Sequence, residues 1–168
     1  MPSVNFFNTK HKTEPPRNDK EFKVHDPGNN LPAITTPADS KLYQAIVHNP
    51  RQLLLEFIPI DHNITFQDSN GNEISTCDGL LHTLDNNEYI AFVELKDEMN
   101  SWITDAKDQL GNTIDLFRQN HVYTDYTRRY AYAANREHPQ FAFSRKQMMQ
   151  EFKNTYGFSL RIQNEINI

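Results

Sequence analysis

With a single cysteine, Cys77, in 168 residues, the chain has no intramolecular disulfide framework, and a reducing compartment is the expected setting. Glycine is also scarce. None of the five is grouped into a phosphate-cradling loop, so the usual signature of nucleotide triphosphate hydrolysis is missing. No apolar run approaches the roughly 20 residues that a bilayer span requires, and the first residues lack the apolar stretch of a secretory signal. The expectation is a cytoplasmic protein with no membrane partner. The seven histidines include no pair at the i, i+4 spacing of a helical zinc site. No internal repeat is present.

What the chain does contain is enough for a core: 37% hydrophobic residues, with eleven Phe and seven Tyr. A mean hydropathy of −0.76 implies long polar segments beside it. The net charge of −5 is spread unevenly, since residues 120–168 hold 7 of the 17 Lys and Arg but only 4 of the 22 Asp and Glu. A basic last third suits an anionic partner, with Arg128, Arg129 and Arg136 as candidate phosphate contacts. A solvated surface accounts for the same charges.

In chain order, residues 1–30 are rich in Lys, Asn, Pro and Asp, and their apolar residues follow no period. They read as an extended or disordered tail before a single domain over 31–168, with Val4 to Phe7 able to dock on a neighbouring surface. Thr36 and Pro37 have the form of a helix start, and Leu42, Tyr43, Ile46 and Val47 follow at helical spacing up to a stop before Asn49-Pro50. Residues 52–61 read as a buried strand, and Asp68 to Asn72 as a turn joining strands 63–67 and 73–84. After a second turn at 85–88 comes an apolar strand, Tyr89 to Lys96. Ile103, Ala106, Leu110, Ile114 and Phe117 then mark a helix over 101–119, capped by Asn100 or Ser101. A strand over 129–134, parallel to 89–96, a helix from Ser144 to Tyr156 stopped by Gly157, and an outer strand over 158–168 complete the chain.

The organising stretch is 89–96. In an extended strand Ile90, Phe92, Glu94 and Lys96 share one face, and Tyr89, Ala91, Val93 and Leu95 the other. Both faces are apolar until Glu94, the pattern of a central strand covered on two sides. A carboxylate and an ammonium there must be paired, metal-bound or at the open end. Three strands joined by tight turns form an antiparallel meander, which brings Asp78 beside Glu94. Asp78, Glu94 and the carbonyl of Leu95 present the oxygen donors that Mg²⁺ or Mn²⁺ prefers, and a hard cation of that kind neutralises a scissile phosphate. Lys96 would position the attacking water, and Gln109 on the following helix would orient it. A plain ion pair at a strand end is the bland alternative for Glu94 and Lys96. Cys77 has no partner for nucleophilic catalysis and reads as a small buried side chain.

The order of helix, three-strand meander, crossover helix and strand, with an Asp, fifteen intervening residues and Glu94-Leu95-Lys96, resembles the core of the PD-(D/E)XK nuclease-like (restriction-endonuclease-like) superfamily. The resemblance covers about residues 37–135. It implies an α/β fold, a mixed sheet flanked by helices, and a Mg²⁺-dependent nuclease acting on DNA, or on RNA. Cys77 stands where that family often has Pro, and no Glu lies in the first helix, for which Glu56 is a substitute candidate. The alternative is a catalytically inactive nuclease-like fold that serves as an interaction module. A protein partner or a homodimer is left open.

Overall fold

The computed structural model describes residues 3–97, 101–137 and 145–168. Its first half supplies strands β1 (Glu21–His25), β2 (Ile34–Pro37), β3 (Ala45–His48), β4 (Leu55–Pro59), β5 (Gly79–Thr83) and β6 (Tyr89–Lys96). The second half adds helix α1 (Trp102–Asn120), β7 (Arg128–Asn135), α2 (Lys146–Tyr156), β8 (Ser159–Ile162) and β9 (Glu165–Asn167). A main sheet has the order β4-β5-β6-β7-β8, and a second sheet the order β2-β1-β3-β9. The fold is therefore α/β, with two mixed sheets and two helices.

Strand β6 sits at the centre of the main sheet, as its two apolar faces predict. Ile90 and Phe92 face a core shared with Ile103, Ala106, Leu110, Ile114 and Phe117 of α1. Tyr89, Ala91, Val93 and Leu95 face a second core with Phe22, Val24, Ala45, Val47 and Ile166 of the second sheet. The meander is antiparallel through β4, β5 and β6. α1 then carries the chain across to β7, which runs parallel to β6 with Lys96 level with Asn135. Gly157 ends α2 in the left-handed conformation that a stop glycine provides. Among the described residues, no helix is long and apolar enough to cross a membrane.

Four expectations need correction. No helix forms over 36–49. Ile34 to Pro37 and Ala45 to His48 are strands, and β3 alternates buried and half-buried residues with period two. The helical spacing of 42, 43, 46 and 47 does not mark a buried stripe, because Leu42 is 63% exposed. β-branched Ile46 and Val47 suit a strand, and Pro37 is tolerated because β2 is an edge strand. The tail, in turn, is packed. β1 pairs with both β2 and β3, while Phe6 is fully buried against Phe66 and Phe117. Asn120 Oδ1 and His121 Nε2, at the end of α1, accept the N–H groups of Val4 and Phe6. These anchors are long-range and follow no period, which hid them.

Of the strands expected to pair at 63–67 and 73–84, the second is shortened to β5 and pairs with β4 instead of the first, which leaves an isolated Gln67–Glu73 bridge across the turn, where Asp68 accepts from the N–H of Asn70 and Asn72. Residues 158–168 form two strands, β8 in the main sheet and β9 in the second. Ser101 begins α1 without a side-chain cap; its alternative Asn100, and Ser144, the expected cap of the last helix, lie outside the described residues.

Two outcomes follow from the packed N-terminus. Phe6→Ala should lower unfolding free energy in urea by about 3–5 kcal/mol; a loss within error of zero would mean that the segment is only laid on the surface. Burial holds His121 below its ordinary value of 6.5, and its ring nitrogen must be unprotonated to accept from Phe6. As pH falls through 6.5 the unfolded chain takes up a proton that the folded one resists, so this contribution to stability is full above 6.5 and declines below it. Denaturation of wild type and His121→Gln between pH 5 and 8 should show a shallower acid slope in the variant.

Candidate active site

The end of β6 brings the predicted residues together. Asp78 immediately precedes β5, and continuing the Gly79–Val93 pairing by one residue sets it opposite Glu94. Its backbone carbonyl accepts from Ile60 N–H at 2.8 Å, and its Oδ2 accepts from Leu95 N–H at 2.6 Å. Gly79 is required beside it, since a Cβ there would overlap the ring of Phe57. Glu94 is 2% and Asp78 9% exposed. Lys96 Nζ lies 2.9 Å from Glu94 Oε1 and donates to Gln109 Oε1 at 2.8 Å. Leu95 sends its side chain into the second core and leaves only backbone at the site.

Helix α1 holds the approach to Asp78 through a polar stripe. Asn112 and Gln109 donate to the carbonyls of Ser75 and Thr76 at 3.1 and 3.2 Å, and Thr113 Oγ1 accepts the N–H of Cys77 at 2.8 Å. Gln109 thus joins the segment before Asp78 to Lys96. Cys77 is fully buried, and burial pushes its thiol up, which suits the packing role read from the sequence.

Electrostatics set this pair of carboxylates apart. Burial raises Asp78 to about 7 against the pull of the Leu95 N–H; the charges of Asp26 and Asp61 add to the rise and Lys96 opposes it. Glu94 is held well above the carboxylate range, first by burial and then by the charge of Asp78, with Lys96 countering. Among the described residues, Glu94 Oε2 has no hydrogen-bond partner. Neighbouring buried carboxylates resist ionising together unless a cation joins them.

Glu56 gives the contrast. It lies on the same face, but it pairs with His82, which pairs with Ile90, so it sits at the far end from Glu94 and cannot replace the missing first-helix Glu. His82 and Lys12 bind its two oxygens at 2.9 and 3.0 Å. The hydrogen bond from His82, followed by that from Lys12, holds it below the usual range against the effect of burial. Among the described residues, one buried Glu of this sheet face is compensated on both oxygens and the other on one.

The predicted arginines divide. Arg128 pairs with Glu88 at 2.8 Å and lies over Tyr89, and Arg129 donates to the carbonyls of Gly157 and Tyr126. Both are at the start of β7, the opposite end from Lys96, because a side chain's place along the strand is set by its register. Only Arg136 follows the end of β7 that lies at the site. Sequence reasoning missed Asp26 and Asp61, which long-range pairing brings near, and Asn112 and Thr113, whose i+3 and i+4 spacing from Gln109 was a readable signal.

As a cation site the donor set is small. Among the described residues, no group of three or more His, Cys, Asp and Glu side chains is arranged to hold a metal. Asp78 and Glu94 still fit a hard divalent ion completed by backbone and water oxygens. The orphaned Glu94 Oε2 and the suppressed ionisation of both acids are what such an ion would relieve. Comparison with protein-family models, curated proteins and solved structures returned no match to any of them.

The raised Asp78 makes stability depend on pH. Its value is 3.8 unfolded and about 7 folded, so across that window the folded chain keeps a proton that the unfolded one releases, and stability declines as pH rises towards 7. In chelator, Asp78→Asn should remove part of this decline in urea melts. An identical decline in the variant would show that Asp78 ionises freely in the folded protein.

Proposed function

We propose that the chain is a metal-dependent phosphodiesterase of restriction-endonuclease-like type, a nuclease acting on DNA or RNA. The observation that carries this reading is the Glu94 oxygen that has no hydrogen-bond partner among the described residues, buried beside Asp78 on a strand where a partner residue would have been the stable choice. The order of antiparallel meander, crossover helix and parallel strand in the main sheet supports the type. The helix that opens such a core is replaced here by the second sheet.

Asp78, Glu94 and the Leu95 carbonyl would hold Mg²⁺ or Mn²⁺, which supplies charge neutralisation on the phosphate. Asp78 is aimed by the Leu95 N–H, which leaves its other oxygen for the cation. Lys96 is fixed between Glu94 and Gln109. From there its ammonium orients the attacking water and stabilises the negative charge that grows on the phosphate. Gln109 acts through Lys96 as a positioning residue.

The two-carboxylate donor set favours one competitor: a nuclease-like fold without activity, used to bind another macromolecule. Cleavage assays separate the readings. With labelled DNA and RNA and millimolar Mg²⁺ or Mn²⁺, wild type should cut, while Glu94→Gln and Lys96→Gln, still folded by circular dichroism, should lose at least 100-fold in rate, the scale of losing one preorganised charge stabiliser. Metal-dependent cutting that survives Glu94→Gln overturns the site, and no cutting of either polymer by wild type favours the binding module.

A further inference from the structure

The acidic character of this pole poses a problem for a polyanionic substrate. Asp26, Asp61 and Asp78 interact electrostatically with one another, Asp61 and Asp78 also with Glu94, and Asp97 follows Lys96 directly. A phosphate backbone approaching this end of the sheet needs cations beside it.

Two are gathered there around Tyr43, in the segment between β2 and β3, and Lys41 precedes it in the same segment. The Lys23 ammonium lies 4.3 Å and the Arg136 guanidinium 4.4 Å from the centre of the Tyr43 ring. Each also donates to a backbone carbonyl of the same segment at 2.7 Å, Lys23 to Ser40 and Arg136 to Lys41. Lys41 itself is exposed, as is Arg136. One hydrogen bond and one ring contact leave donors free on both the Lys23 ammonium and the Arg136 guanidinium.

The cluster is tied to the candidate active site at two points. Arg136 follows Asn135, the register partner of Lys96. Gln44, the residue after Tyr43, donates to Asp97 at 2.8 Å and accepts the N–H of Asp26 at 2.9 Å. Strand β1, the 38–44 segment and the end of β7 thus converge on one basic rim at the end of the main sheet that carries the paired carboxylates. Tyr43 holds the cations in place with its ring and is not offered for base stacking.

We infer that Lys23 and Arg136, organised by Tyr43, together with the exposed Lys41 of the same segment, form a phosphate clamp that grips the nucleic-acid backbone beside the scissile bond, without reading sequence. The inference rests on the nuclease reading and adds the surface by which that site captures its polymer. A purely structural role, pinning the 38–44 segment, is the competing account. It makes no claim on salt dependence.

The test is binding of a fluorescent mixed-sequence DNA duplex across a salt series, with Ca²⁺ present, together with cleavage in Mg²⁺ or Mn²⁺. Lys23→Gln/Arg136→Gln should reduce the slope of log affinity against log salt by about 1.8, since each phosphate that is no longer neutralised removes about 0.9. Lys23→Arg/Arg136→Lys should restore it. A control with equal charge loss, Lys146→Gln/Lys153→Gln on α2, should keep the wild-type slope. If the first variant does not fold, Lys41→Gln, an exposed change, reads the same slope and should lower it by about 0.9. An unchanged slope in the rim variants of a wild type that binds and cleaves overturns the clamp and leaves the nuclease reading standing. An equal drop in the α2 control also overturns it. A wild type that neither binds nor cleaves overturns both.

Discussion

Strand β6 is buried on both faces, and that constraint sets most of what surrounds it. One face requires a layer of helices, the other a second sheet, and the strand's end is the only part at which polar groups can stand. Glu94 and Lys96 occupy that end on the helix side, where α1 supplies the amide of Gln109 and the hydroxyl of Thr113. Asp78 arrives from the neighbouring strand because the meander is antiparallel and in register. The site is thus a consequence of where the central strand runs out of core.

The two buried glutamates of this face measure what the site costs. Glu56 is joined on one oxygen by His82 and on the other by Lys12, and its charge is stabilised. Glu94 has Lys96 on one oxygen, no partner among the described residues on the other, and an acid beside it, and its charge is destabilised. Buried polar groups in a fold selected only for stability are satisfied. Local departures of this kind concentrate at functional sites.

How much of this was legible in the sequence depended on the range of the contacts involved. The sequence of β6, α1 and β7 carries long, regular periods, and these elements stand within a residue or two of expectation. Glu94, Lys96 and Gln109 were readable because each is fixed by its place on such an element, and Asp78 because it immediately precedes β5, opposite Glu94. Residues 34–48 were not, since two four-residue strands offer too few repeats to separate period two from period 3.6. Phe6 is an isolated anchor whose partners, Phe66 and Phe117, lie far along the chain. Arg128, Arg129 and Arg136 look equivalent in sequence, yet a strand of eight residues places the first two and the third at opposite ends of the sheet.

The central claim is that the orphaned oxygen of Glu94 exists to meet a cation. A thermal melt of wild type and Glu94→Gln, with and without millimolar Mn²⁺ at fixed ionic strength, tests it most directly. A ligand held only by the folded state stabilises it by roughly 1.4 kcal/mol for each tenfold excess over Kd. The account predicts a rise in the wild-type melting temperature that is absent in Glu94→Gln, which is itself more stable than wild type without metal. Equal shifts in both proteins, or none in either, would contradict it.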